Sequence, residues 1–133
     1  MRVGELANRA MLAPHVVRYY IRVGLLRPRR GSNGYAEFDE SDLTRLVFIR
    51  KAQRLGFTLN EIGGLLARHD EGEDVCAQVR SIGRQRKAEK SAELRELRRL
   101  NDRLRDALRR WRHSADSSPN DPSICPLIME LTV

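Results

Sequence analysis

The chain has 133 residues, of which 32% are charged and only 5% aromatic, and its formal net charge is +7. This composition suits a helical protein with one small core and an extension, and the absence of any apolar run of about 18 residues excludes a membrane-spanning helix. The first residues lack the apolar core of an export signal, so two cysteines indicate free thiols or metal ligands rather than a disulfide scaffold.

The first two predicted helices are short and are joined by a tight turn. Val3–Ala10 carries apolar residues on one face, and Pro14 suits the first position of a helix that runs to about Val23. Gly24 follows at the place where a glycine commonly ends a helix. Two such helices in succession predict a helix-turn-helix.

A basic hairpin is predicted next. Leu25–Arg30 is expected to be extended, and Asn33-Gly34 is a strong signal for a two-residue hairpin turn. Tyr35–Phe38 is expected to return as the second strand. We call residues 25–38 the wing.

Two further helices are predicted after the wing. Asp39 or Ser41 is expected to cap a helix that runs through about Leu55, and Thr58 to cap a helix over Leu59–Ala67. The apolar spacing of the first helix predicts a core-facing set of Leu43, Leu46, Val47, Ile49 and Ala52.

The largest predicted element is a helix from Cys76 to His113, preceded by an acidic loop over His69–Asp74. It contains no proline, and at about 1.5 Å per residue it would be roughly 55 Å long, too long to fold back on a small domain. Its second half has apolar residues at heptad spacing, at Leu94, Leu97, Leu104, Leu108 and Trp111. In an antiparallel pair of such helices, Cys76 of one chain could meet Cys125 of the other.

The end of the chain is predicted to be a loop followed by a short helix. Residues 114–123 are rich in Ser, Asp, Asn and Pro, a composition typical of loops. Cys125–Leu131 is expected to form one or two helical turns, with Pro126 at the first helical position.

The candidate nucleic-acid-binding residues lie in the second helix and in the wing. Residues 1–68 carry 12 Lys and Arg against 6 Asp and Glu, an excess that suits a nucleic-acid binder. The candidates are His15, Arg18, Tyr19 and Arg22 in the helix, and Arg27, Arg29, Arg30 and Asn33 in the wing. A recognition helix beside a basic hairpin predicts DNA binding, although any one of these arginines could be an ordinary solvated side chain.

These segments together resemble the MerR-type transcriptional regulators. The similar segments are Val3–Ala7, Val17–Tyr20, Gly24–Leu26, Asn33–Tyr35 and Gly56–Ile62. The likeness covers about residues 1–75 closely and the long helix in character. Two residues depart from the family pattern, since Ile21 stands where a Glu is usual and Ala36 stands where the wing usually carries an Arg. The second departure removes an expected phosphate contact.

The resemblance implies a fold and a mode of action. The fold is mostly α: a winged helix-turn-helix DNA-binding domain (1–75), a long antiparallel coiled-coil dimerisation helix (76–112), and a C-terminal metal-binding loop with a short helix (113–133). By position, DNA would be contacted by His15, Arg18, Tyr20, Tyr35 and the wing arginines. The implied homodimer distorts and untwists an over-long promoter so that RNA polymerase can use it.

The resemblance also implies a metal sensor. Metal-sensing members place one ligand at the start of the dimer helix and others in the loop after it, and Cys76 and Cys125 match those positions. Cysteine at the first position is typical of members that sense divalent mercury, lead, cadmium or zinc, which thiolates suit. Trp111 replaces a further family cysteine and is expected to pack against the partner's helix start, so His113 is the predicted third ligand. The weaker candidates are His69, Asp116 and Asp121.

Other functions are weighed against this one. The protein is expected to act in the bacterial cytoplasm as an activator of heavy-metal resistance, and the alternative is a MerR-type regulator that responds to redox state or to a small organic compound. A disulfide between Cys76 and the partner's Cys125 would supply a redox switch, and both thiols could instead be simple packing. An enzyme is not indicated, because no nucleophile–base pair, phosphate-binding loop or carboxylate pair is evident.

Overall fold

The computed structural model describes residues 1–114, 116 and 118–132, so residues 115 and 117 of the predicted loop lie outside the described residues. In chain order its elements are α1 (Val3–Arg9), α2 (Pro14–Arg22), β1 (Arg29–Arg30), β2 (Ala36–Glu37), α3 (Glu40–Arg54), α4 (Leu59–Asp70), α5 (Cys76–Trp111) and α6 (Pro126–Met129). They form two compact units, Met1–Arg86 and Lys87–Val133. The predicted fold class, mostly helical with a winged helix-turn-helix and a long helix, is confirmed.

Helices α1 and α2 form the predicted helix-turn-helix. Pro14 occupies the first position of α2, and Met11 lies in the intervening turn with a φ of +59°. Each helix ends one residue before its predicted end. Gly24 follows α2 with a φ of +84°, a left-handed conformation that favours glycine and stops the helix.

The wing is a two-stranded hairpin whose strands are shorter than predicted. Strands β1 and β2 pair antiparallel, with Arg29 opposite Glu37. The predicted strand over Leu25–Arg30 is too long, because Leu25 and Leu26 are buried in the core instead of pairing with a neighbouring strand. The wing is therefore a short projection from a segment that belongs to the core.

Helices α3 and α4 begin with reciprocal capping boxes. The Asp39 carboxylate accepts from the Asp42 backbone N–H while the Asp42 carboxylate accepts from that of Asp39, so Asp39 rather than Ser41 is the cap. Thr58 and Glu61 do the same for α4. Helix α4 continues to Asp70, so the prediction that a loop begins at His69 is wrong by two residues.

The core of the first unit is apolar and draws on every helix of the unit. The side chains that are almost fully inaccessible to solvent are Leu6, Val17, Tyr20, Leu26, Leu46, Ile49 and Ile62. The first turns of α5 belong to this unit, because Val79 and Ile82 pack against the core. The prediction for α3 is wrong at Val47, which is 37% exposed, whereas Phe48 is partly buried against the core.

The second unit contains most of α5 and the short helix α6. In this part of α5 the leucines of the predicted heptad stripe are 48% to 63% exposed within one chain, at Leu94, Leu97, Leu104 and Leu108. Leu100, outside the heptad spacing, is 45% exposed. Cys125 occupies the N-cap position of α6 without a capping hydrogen bond from its side chain, and Pro126 takes the first helical position as predicted. Among the described residues, none of the helices combines the length and apolarity needed to cross a bilayer.

Candidate DNA-binding surface and thiol sites

The outer face of α2 presents the polar side chains expected of a recognition helix. His15, Arg18, Tyr19 and Arg22 are all exposed, whereas Val17 faces the core. The Arg22 guanidinium lies 5.6 Å from the centroid of the Tyr19 ring, within the range of a cation–π contact. This face offers hydrogen-bond donors and two cations to a nucleic acid, as the sequence predicts.

Tyr20 is the exception among the predicted DNA contacts. Only 2% of it is exposed, and its hydroxyl donates to Oε1 of Gln53 at 2.7 Å and accepts from Nη1 of Arg50 at 3.2 Å. The contact of Tyr20 with DNA stays a prediction, and in this structure its ring is in the core and its hydroxyl bonds α3. Its role here is to fix α2 on α3.

The wing uses several of its predicted DNA-contacting residues to hold its own shape. The Arg29 guanidinium pairs with the Asp39 carboxylate, and Arg30 Nη1 donates to the Gly34 carbonyl at 2.9 Å. The Asn33 side-chain oxygen accepts from the Tyr35 backbone N–H at 3.2 Å. The last two contacts lie in the hairpin turn, and the first joins the wing to the start of α3.

Most side chains of the wing are exposed, since Arg27 is exposed, Tyr35 is 58% exposed and the Arg29 side chain is 67% exposed. Arg29 and Arg30 are exposed as well, although each makes a hydrogen bond within or beside the wing. All five predicted wing residues are therefore exposed, and their contact with DNA stays a prediction.

Asp39 joins the wing to α3. Its carboxylate accepts from the Ser41 hydroxyl and from the Asp42 backbone N–H in addition to Arg29. These bonds, with that of the Ser41 hydroxyl the largest, hold the pKa of Asp39 well below its usual range. The carboxylate therefore stays charged and anchors the wing across the ordinary pH range.

Arg2 is a basic residue of this surface that sequence reasoning missed. Its guanidinium lies over the Tyr35 ring, 4.3 Å from the centroid. The α-amino group of Met1 donates to the Phe38 carbonyl at 2.7 Å, which holds the N-terminus beside the wing. No local sequence signal announces this contact, because 33 positions separate the two side chains.

Cys76 lies at the first position of α5 and is exposed. The Asp74 carboxylate accepts from the Cys76 backbone N–H at 2.9 Å, and its hydrogen bond to the thiol raises the pKa of Cys76. A metal ion bound here would have to displace that proton, since the thiolate is the ligand form.

Cys125 is partly buried and lies in extended backbone immediately before α6. The loop before it is ordered by Asp121, whose carboxylate accepts from the backbone N–H and the hydroxyl of Ser123. These bonds lower the pKa of Asp121. Asp121 therefore serves the loop as a turn-forming residue, which leaves it a poorer ligand candidate than the thiol.

The remaining ligand candidates are scattered. His113 is exposed just beyond α5, Asp116 is exposed in the loop, and His69 is exposed near the end of α4. Within residues 1–114, 116 and 118–132, no three His, Cys, Asp or Glu residues of one chain come together in a way that could hold a metal ion. The described residues thus supply two soft donors, Cys76 in the first unit and Cys125 in the second.

A pocket of about 490 Å³ lies in the first unit beside the approach to α5. Its apolar lining includes Phe48, Leu65 and Val75, and the Arg45–Asp70 ion pair lies at its edge with a separation of 2.8 Å. That pair, chiefly through the hydrogen bond from Arg45, lowers the pKa of Asp70. Sequence reasoning missed this pocket because its walls come from separate elements.

Comparison with known proteins identifies related families along most of the chain. Residues 1–69 match the model described as MerR HTH family regulatory protein, and residues 43–107 match a second model described as MerR, DNA binding. The two matches together include the helix-turn-helix, the wing, α3, α4 and most of α5.

Individual relatives align over nearly the whole chain. The uncharacterized HTH-type transcriptional regulator PA4778 of Pseudomonas aeruginosa is 35% identical, covering 98% of this chain and 96% of its own. The mercuric resistance operon regulatory protein of Bacillus cereus is 33% identical, and the alignment covers 98% of this chain and 96% of that protein. The crystal structure of the transcription regulator PbrR691 from Ralstonia metallidurans CH34 in complex with lead(II) is 32% identical, covers 99% of both chains and superposes with a TM-score of 0.75.

Proposed function

The chain belongs to the MerR family of helix-turn-helix regulators, and from this premise we propose that it activates transcription from a metal-resistance promoter when a divalent heavy metal binds. It is a DNA-binding regulator and not an enzyme. The observation that carries the metal-responsive proposal is the pair of thiols, one at the start of α5 and one in the C-terminal loop. The proposal places the protein in the bacterial cytoplasm, where promoter DNA is.

The DNA-binding surface of the proposal is the outer face of α2 together with the wing. His15, Arg18, Tyr19 and Arg22 would enter the major groove, as exposed polar residues of a recognition helix do. The wing would then track the flanking backbone with Arg27, Arg29, Arg30, Asn33 and Tyr35. Contacts of guanidinium groups with phosphate supply most of the affinity, and contacts with base edges supply the specificity.

We infer that two chains pair through the exposed leucine stripe of α5. Five leucines of this helix remain about half exposed in one chain, and a second antiparallel copy would bury them. Such a homodimer would hold two recognition helices on one promoter. The proposed activation is a distortion of that promoter by the metal-bound dimer, which makes it usable by RNA polymerase.

The proposed metal site joins Cys76 of one subunit to Cys125 of the partner subunit, with His113 as the third ligand. Two thiolates can bind Hg²⁺ linearly, and an added imidazole or water suits Zn²⁺, Cd²⁺ or Pb²⁺. Relatives named for mercuric resistance and solved with lead(II) support an ion of this class. A metal at the site would supply a fixed cross-link between the two chains, and this chain's thiols, His113 and loop would orient it.

The direct test is a titration of the reduced full-length protein with Hg²⁺, Pb²⁺, Cd²⁺, Zn²⁺, Co²⁺ and Cu⁺. Thiolate-to-metal absorption should appear with two ions per dimer, and Cys76→Ser or Cys125→Ser should abolish it. His113→Ala should weaken binding by a smaller factor, whereas His15→Ala, at an exposed histidine of α2, is the matched control and should leave metal binding unchanged. Metal-induced transcription that survives both cysteine substitutions would refute the site.

The redox alternative predicts a different outcome in the same protein. Oxidant would form a disulfide between Cys76 and the partner's Cys125, and none of the six ions would bind with thiolate absorption. Non-reducing electrophoresis after mild peroxide treatment distinguishes a covalent dimer from a metal-bridged one.

A further inference from the structure

The last residue of α5 is tied to the C-terminal helix by a hydrogen bond that no part of the DNA-binding role uses. The indole N–H of Trp111 donates to the carbonyl oxygen of Leu127 at 3.0 Å. Both side chains are partly buried within the second unit. Trp111 was expected to pack on the partner's helix start, but in this structure its polar edge is occupied within its own chain.

The bond satisfies a carbonyl that helix α6 leaves open. In the part of the chain that the structure describes, the backbone bonds of this segment run from Met129 to Cys125, from Glu130 to Pro126 and from Leu131 to Ile128. None of them ends on the carbonyl of Leu127, so the indole takes the place of a backbone donor. Unsatisfied carbonyls at a helix end need such a partner.

Helix α6 needs an outside contact to be ordered. It has four residues, far below the length at which a helix is stable in water. Ile124, just before its cap, has a φ of +71°, a strained conformation that persists only where its surroundings hold it. One turn before Trp111, Ala107 is only 5% exposed, so the same face of α5 is covered at this end of the second unit.

We propose that Trp111 is the positioning residue for Cys125. Leu127 is two residues beyond Cys125, and Cys125 occupies the N-cap position of the helix to which Leu127 belongs. Fixing the Leu127 carbonyl therefore fixes the backbone that presents the thiol. This inference rests on the proposed function, since it assigns Trp111 the task of arranging a ligand before the metal arrives.

The mechanism is one of pre-organisation. A thiol on an ordered loop loses less conformational freedom when it binds an ion than a thiol on a mobile one. Trp111 contributes no donor atom to the metal, so its removal should change affinity while the ligand set and the stoichiometry stay the same. Removal of a residue that binds the metal directly would change the affinity, the ligand set and the stoichiometry.

The test compares Trp111→Phe, which keeps an aromatic ring and deletes the donor, with Arg109→Ala, an exposed neighbour on the same turn of α5. Cd²⁺ affinity of the reduced full-length protein is measured by thiolate absorption against a competing chelator. Trp111→Phe should weaken binding about fivefold, the usual worth of one hydrogen bond, with an unchanged absorption spectrum and an unchanged ion count per dimer. Arg109→Ala should match the unmodified protein.

A second measurement needs no metal. In a Cys76→Ser background Cys125 is the sole thiol, and Trp111→Phe should speed its reaction with a colorimetric disulfide reagent severalfold because the loop opens more often. An unchanged reaction rate overturns the inference whether or not the protein binds Cd²⁺. If the rate rises but the protein with both cysteines binds none of the ions, the positioning role stands and the metal-sensing function is rejected instead.

Discussion

At the scale of the residue, the two adjacent tyrosines of α2 have opposite environments. Tyr19 is 38% exposed beside Arg22, whereas Tyr20 is buried and hydrogen-bonded to Gln53. The helical period of 3.6 residues separates neighbouring side chains by about 100°, so one ring can face DNA only if the other turns toward the core. The same chemical group thus supports specificity at one position and stability at the next.

Tyr20→Phe should destabilise the protein by about 1 kcal/mol, because it deletes a hydroxyl that bonds two side chains of α3. The measurement is the midpoint of urea unfolding at one fixed protein concentration. Tyr19→Phe is the matched control and should leave the midpoint in place. The DNA affinity of the folded Tyr20→Phe variant should stay within about twofold of that of the unmodified protein. A larger loss would indicate that the Tyr20 hydroxyl contacts DNA.

Arg18→Ala should weaken DNA binding and reduce its salt dependence. If its guanidinium meets a phosphate, the slope of log affinity against log salt should fall by roughly 1 for each site. The probe is a duplex selected from a randomised library by the unmodified protein, and the readout is fluorescence anisotropy at several salt concentrations. Arg84→Ala, an exposed arginine of α5, should leave the slope unchanged.

At the scale of the element, caps and turns are well predicted from sequence, whereas helix ends and strand lengths are not. Thr58 and Pro14 act where local chemistry places them, because a cap needs only residues within one turn. The end of α4 and the short β1 depend on long-range packing instead. Arg45 pairs with Asp70 and Leu25 enters the core, and neither contact leaves a local signal.

Thr58→Ala should lower the free energy of unfolding by about 1 kcal/mol, the usual cost of losing a helix cap. The reason is that the Glu61 backbone N–H loses its acceptor at the start of α4. Thr58→Ser keeps the hydroxyl and should recover most of the loss. Equal stability of the alanine and serine variants in urea unfolding would contradict the capping role.

Glu61 should make stability depend on pH in the acid range. The backbone N–H of Thr58 and its hydroxyl, followed by the Arg86 guanidinium, lower the pKa of Glu61 in the folded protein. Its contribution is therefore complete above the unfolded value of about 4.3 and is lost as pH falls through the folded pKa. Glu61→Gln should flatten the decline in urea midpoint below about pH 4.5, and an identical decline in both proteins would remove Glu61 as its cause.

At the scale of the whole molecule, the candidate metal site could be located from sequence only in part. Both thiols were identified from their positions, because cysteines are rare in this chain. Their environments were not, since the Asp74 hydrogen bond and the Trp111–Leu127 bond are side-chain geometry that no pattern encodes. A site shared by two chains also depends on the dimer interface, and the only sign of that interface in the sequence is the apolar stripe of α5.

Leu104→Glu should weaken the proposed dimer by at least tenfold. Leu104 is 49% exposed in a single chain and would be buried twice in a symmetric pair, and burial of a leucine is worth about 1.5–3 kcal/mol. Sedimentation equilibrium measures the change, and Ala92→Glu, at an exposed neutral position of α5 off the stripe, provides a control with the same change of charge. An unchanged dimer affinity in Leu104→Glu would show that the interface does not include this stripe.

The carboxylate of Asp39 has a consequence for anyone who wishes to retarget the protein to new promoters. Because it caps α3 and holds Arg29 at once, the wing and the helix behind it are built from one shared residue. A combinatorial library that randomises Arg27 and Tyr35 samples new DNA preferences on an intact scaffold. A library that also varies Arg29 or Asp39 would instead be dominated by wings that do not fold correctly, so both residues should be left unchanged.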